Sequence, residues 1–215
     1  MIHWVKPVIP RKYVLLALLL VLFGFFLVQS TTRNVKHSYY EEQVEAARLM
    51  AEASGVIKNA RLELGIQINR ELDPNETGLI GETLTTITSS VGNIEAKRTS
   101  TNPDFAALMV QLFHQAGLEA GDVVAIGASG SFPGLIVATL AACQVMELRP
   151  LLIYSVGASM YGANIPEFTF IEMLEALHKH NLLPYEILAV SLGGDNDRGE
   201  GMLFSESQEV MLNIA

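Results

Sequence analysis

The chain has 215 residues, with 14 basic against 23 acidic side chains. The charge is uneven: residues 1–36 carry five basic and no acidic residues, leaving −14 on residues 37–215. A surface that negative repels nucleic acid and excludes a nucleic-acid role, and one cysteine, Cys143, excludes an intrachain disulfide.

Tyr13 to Val28 reads YVLLALLLVLFGFFLV, a run without charge or polar stripe. A membrane-crossing helix needs roughly 17–25 apolar residues. The small polar residues Gln29 to Thr32 lengthen the run at its interfacial end, so residues 13–29 are expected to be a transmembrane anchor. A cleavable signal peptide would share the basic Arg11-Lys12 and the Val28-Gln29-Ser30 site. The run is longer than the usual core of about 7–15 residues, which favours an uncleaved anchor. Lys6, Arg11 and Lys12 precede it, and Arg33 and Lys36 follow. This bias places residues 1–12 in the cytoplasm, with Trp4 and Tyr13 at the headgroups, and the remaining chain outside.

Residues 37–64 are expected to form a long stalk helix that packs on the domain, with Tyr40, Val44, Ala47, Met50, Ala51, Ser54, Ile57 and Leu62 on one stripe and Gly65 at its end. Asp73 to Gly78 (DPNETG) reads as a turn. Leu79 to Val91 suits either a strand or a short helix. Asn102, Pro103 and Asp104 form a helix start, followed by helix over 105–115 and a stop at Gly117.

Short apolar runs then alternate with helical ones. Strands are expected at 122–127, 151–155 and 187–191, and helices from Pro133 or Gly134 to about Met146, at 166–180 and at 204–214. The pattern predicts an α/β domain over 66–215: a three-layer parallel sheet with crossover helices on both faces. The last helix has no stop signal, and a fourth parallel strand is expected beyond it, so the domain reads as truncated at its C-terminus. The bland alternative is that 66–101 supplies the missing strands.

Ligands in such folds bind beyond the carboxyl ends of the strands. Three Gly- and Ser-rich loops leave those ends, at 127–134, 155–164 and 193–201. Together they predict a ligand site made of Ser129, Gly130, Ser131, Ser155, Asn164, Asp195 and Asn196. Ser129-Gly130-Ser131 feeds a helix N-terminus, where free N–H groups would hold a carboxylate or phosphate. The loop lacks the Lys of a P-loop, and Ser131 stands where a nucleophile elbow needs Gly. It resembles the phosphosugar-binding loop of sugar isomerase domains. Ser129 and Asp195 are therefore the catalytic candidates if the protein is a hydrolase or phosphosugar-type isomerase.

Asp195 and Asp197 are the candidate metal ligands, although Gly199 and Glu200 break the EF-hand pattern. His114, His178 and His180 suit helix C-termini better than a metal. Cys143 reads as a small buried hydrophobe. No motif names a cofactor.

The stretch from Thr99 to Ala142, then SVGASMYGANIPEFTFIEML and SLGGDNDRGEGM, resembles the bacterial poly-gamma-glutamate system protein family; DPNETGLIG and the N-terminal anchor fit as well. The resemblance spans nearly the whole chain, although family members continue well beyond Ala215. It implies a membrane-associated accessory of capsule polymer synthesis or export, with the membrane, the system's other subunits and a small anionic ligand or polymer end as partners.

Overall fold

The computed structural model describes residues 10–32, 36 and 38–215. Trp4, Lys6, Arg33 and residue 37, named above, lie outside the described residues. The chain divides into two compact units, Met1–Ser38 and Tyr39–Ala215.

The first unit contains α1, Arg11–Thr31, which begins and ends two residues beyond the expected 13–29. Its side chains are exposed throughout, and it is long and apolar enough to cross a membrane. The polar residues at its end do not break it. The hydroxyls of Ser30, Thr31 and Thr32 donate to the carbonyls of Leu27 and Val28, so they satisfy themselves on the helix backbone.

The second unit opens with α2, Tyr40–Glu63. It buries Ala46, Met50, Ala53, Ser54, Ile57 and Arg61, a stripe at helical spacing. The expected stripe shares Met50, Ser54 and Ile57 with it. The helix packs on the domain, against three of its other helices, and its buried stripe is part of the core. After the turn at 73–78 comes a short helix that the sequence reading did not foresee: α3, Ile94–Ser100, capped by the Asn93 side chain. Helix α4, Asp104–Gln115, follows as expected and ends at Gly117 in a left-handed turn.

Strand β1 spans Val123–Ser129, β2 Arg149–Ser155 and β3 Ile187–Ser191. Between them run α5, Pro133–Val145, and α6, Phe170–Lys179; α7, Ser207–Ile214, comes last. The capping box of Thr169 and Glu172 fixes the start of α6 four residues later than expected. The sheet is parallel in the order β1–β2–β3. Residues 66–101 contribute only an isolated bridge, Thr88 to Ala158, and no strand of this sheet.

The strands add in one direction, so two crossovers of the same hand put α5 and α6 on the same face. Helices α2 and α4 then cover α5. That is why α5 is apolar on every side: nine of its thirteen residues are buried. The two faces differ in cover. Leu152 and Tyr154 face the helices and are buried, while Val123, Leu151 and Ile153, on the other face, are exposed.

Two buried polar side chains hold the irregular segment 66–92 in place. Arg61 donates to the carbonyls of Ile80 and Gln67 and faces Glu82. Asn164 accepts from the Glu82 amide at 2.9 Å and donates to the Glu82 carbonyl at 2.8 Å and the Thr88 hydroxyl at 3.0 Å. Replacing it by alanine orphans buried partners on the 82–88 segment. N164A is expected to destabilise the 39–215 unit by about 2–4 kcal/mol in urea unfolding; a loss below about 0.5 kcal/mol would refute this role.

Candidate functional site

Each strand ends in a serine, and the register brings the three together: Ser129 pairs with Ser155, and Ser155 with Ser191. Side chains alternate across a strand, so these serines share the open face with Leu151 and Ile153. Neighbouring strands are about 4.8 Å apart, and the row therefore spans about 10 Å. It lines a cleft of about 500 Å³ together with Asp197, Ile153 and Ala189.

Asp197 is fixed from the loop after β3. One carboxylate oxygen accepts from Ser191 Oγ at 2.8 Å and from the Gly193 amide at 3.0 Å. The backbone at Gly193, with φ +79°, brings this loop against Ser155. The other oxygen of Asp197 has no hydrogen-bond donor among the described residues. Ser129 Oγ accepts a long bond, 3.4 Å, from the Ser131 amide and keeps its proton free to donate. Ser155 keeps its hydroxyl unspent as well. The cleft thus offers two hydroxyl donors and one carboxylate acceptor.

The predicted residues divide. Ser129, Ser155 and, from the metal candidates, Asp197 meet in the cleft. Gly130 is packed within the protein: its amide donates to Ser155 O, and a Cβ there would stand 2.9 Å from both Ala158 Cβ and Tyr154 Oη. Ser131 is turned inward, where its hydroxyl accepts from the Ser159 amide at 3.1 Å. Asn164 is spent on Glu82 and Thr88, as described. Asp195 and Asn196 lie exposed on the third loop, outside the cleft lining.

Loops 127–134 and 193–201 leave opposite edge strands, with β2 between them, yet both reach one cleft: the third loop sends Asp197 there beside Ser129, Ser155 and Ser191, while Asn164 and Asp195 of the expected composite lie outside its lining. At the start of α5 the Gly130 amide donates to Ser155 O and the Leu135 and Ile136 amides to Phe132 O, whereas the amides of Phe132 and Gly134 have no acceptor among the described residues; in the loop after β2 every amide from Val156 to Ala163 is bonded within the protein.

Among the described residues, no three His, Cys, Asp or Glu side chains converge to hold a metal ion. No histidine, lysine or arginine lines the cleft, so neither Ser129 nor Ser191 has a general base beyond Asp197. Burial pushes the Cys143 thiol up to about 12, which keeps it an inert core residue. His114 stacks on Tyr39 and pairs with Glu42, a structural role.

A larger cleft, about 770 Å³, lies between α2, residues 75–77 and residues 98–103. Its main polar groups are spent. Arg98 bonds Leu72 O, Glu71 O and Glu95, while the hydroxyls of Thr99 and Thr101 return to their own helix. The serine cleft is therefore the better candidate, although it is smaller.

Lys97 on α3 was missed entirely. It is 1% exposed and pairs with no carboxylate among the described residues. Its ammonium donates to Ser159 Oγ at 2.7 Å and to Ser131 O, and stands 3.8 Å over the Phe132 ring. It ties the loop after β1 to the loop after β2, behind the serine row. Desolvation lowers its pKa from 10.5 to about 8. A depressed folded pKa gives stability that is full above pH 10.5 and lost as pH falls to about 8. K97M removes this dependence. The stability difference between wild type and K97M should change by about 3 kcal/mol across that interval in favour of wild type at the alkaline end. Comparison with K97M cancels the opposing titrations of Cys143 and the buried tyrosines. A difference independent of pH would show that Lys97 keeps its ordinary pKa.

Comparison with known protein families, curated proteins and solved structures gives no match.

Proposed function

We propose that this chain is a membrane-anchored accessory protein of poly-gamma-glutamate synthesis or export, and that the serine cleft holds a carboxylate of a small anionic ligand or polymer end. The single observation that carries the binding part is the in-register row Ser129–Ser155–Ser191 with Asp197 in a cleft at the strand ends. The capsule-polymer context comes from the sequence resemblance, and α1 supports anchorage. In this reading α1 crosses the bilayer once, with its N-terminus cytoplasmic and the second unit outside. The partners are the membrane and other subunits of the system.

The free protons of Ser129 and Ser155 supply carboxylate donors. The domain's strong negative charge opposes a long polyanion. One end of a chain, entering with few carboxylates, meets much less of that repulsion. Binding is favoured over catalysis because Asp195 stands apart from Ser129 and the cleft has no strong base.

Two measurements test the proposal. Alkaline carbonate extraction should leave the full chain in the membrane pellet, and release of the intact chain would overturn the anchor. Titration with a γ-linked glutamate oligomer should give saturable binding, weakened about tenfold in S129A/S155A by loss of two hydrogen bonds to a charged group. Absence of saturable binding, or full binding by the double variant, would overturn the site assignment.

A further inference from the structure

We propose that the serine cleft is selective for a ligand end that carries an ammonium group beside its carboxylate or carbonyl oxygen, with the ammonium seated on Asp197. This rests on the reading of the cleft as a ligand site and goes beyond it by naming the group that must accompany the carboxylate.

The electrostatics of the lining decide it. Asp197 carries the only formal charge there at neutral pH; Tyr154, the other ionisable lining residue, has its phenol held neutral by burial. Asp197 makes no salt bridge among the described residues, and the adjacent Arg198 pairs with neither it nor Asp195. A ligand bearing only negative charge would meet a carboxylate with no compensating cation, inside a domain that is already strongly acidic.

Asp197 is also held for use. Ser191 Oγ and the Gly193 amide fix one oxygen, so the carboxylate cannot swing away and its second oxygen remains available to a donor. Ser155 lies one strand spacing, about 5 Å, from Ser191. A carboxylate or carbonyl oxygen on Ser155 and Ser129 and an ammonium on Asp197 are therefore separated by little more than one residue's length. The amino end of a peptide or of a γ-linked glutamate chain has that pairing of charges, whereas the interior of such a polymer lacks the ammonium.

The test uses the full chain in lipid nanodiscs and three γ-linked glutamate trimers: one with a free amino end, one N-acetylated, and one N-methylated, which keeps the charge but adds bulk. By calorimetry, the free and N-methylated trimers should bind about tenfold more tightly than the acetylated one. D197N, which preserves an acceptor for Ser191 and Gly193, should reduce that preference to about twofold or less. Equal binding of all three trimers by the wild type would overturn the ammonium assignment and leave the cleft as a carboxylate site. A preference that survives D197N would overturn it as well. If no trimer binds, the parent reading fails, and this one fails with it.

Discussion

The structure depends on a topological constraint: three parallel strands added in one direction, joined by crossovers of one hand. Such a sheet receives both crossover helices on the same face. Everything apolar then stacks on that side, first α5 and α6, then α2 and α4 over α5. The other face keeps Val123, Leu151 and Ile153 exposed, although parallel sheets are ordinarily covered on both. The same asymmetry leaves Ser129, Ser155 and Ser191 accessible. Had a helix lain on the open face, the row would be a buried hydroxyl ladder and not the floor of a cleft.

The loops at the strand ends are held by polar groups that hydrophobic patterning does not reveal. Lys97 ties the loop after β1 to the loop after β2, and Asn164 ties the latter to residues 82–88. Arg61 secures the entry to that segment. These contacts consume backbone carbonyls and amides that would otherwise be buried without partners. They also account for the small residues in the loops. Gly130 is demanded by the nearness of Tyr154 and Ala158, and Gly134 by Ser100 O, which a Cβ would approach to 2.5 Å. At these two positions glycine reflects loops pressed on one another.

Charge sets the character of the cleft. The second unit is acidic, and its candidate site contains one carboxylate and no cation. Hydroxyls can accept or donate, so the serine row does not choose a ligand's sign by itself. Asp197 makes that choice, because its free oxygen is an acceptor only.

Apart from α3, the elements themselves were legible from the chain. Uniform apolarity marked α1, and Asn102, Pro103 and Gly117 bounded α4. The run ILAVS matched β3 residue for residue, because a short apolar run between turn residues has little other choice. The serines ending LLIYS and ILAVS were visible too, but sequence does not give strand order or register, and without them three serines are not a row. Asp197 and Asp195 are indistinguishable as letters. A backbone turn at Gly193 and Gly194 aims one into the cleft and leaves the other in solvent. Lys97 and Asn164 were unreadable for the same reason: their partners lie 34 or more residues away, and only tertiary packing decides which distant carbonyl a buried polar group must satisfy.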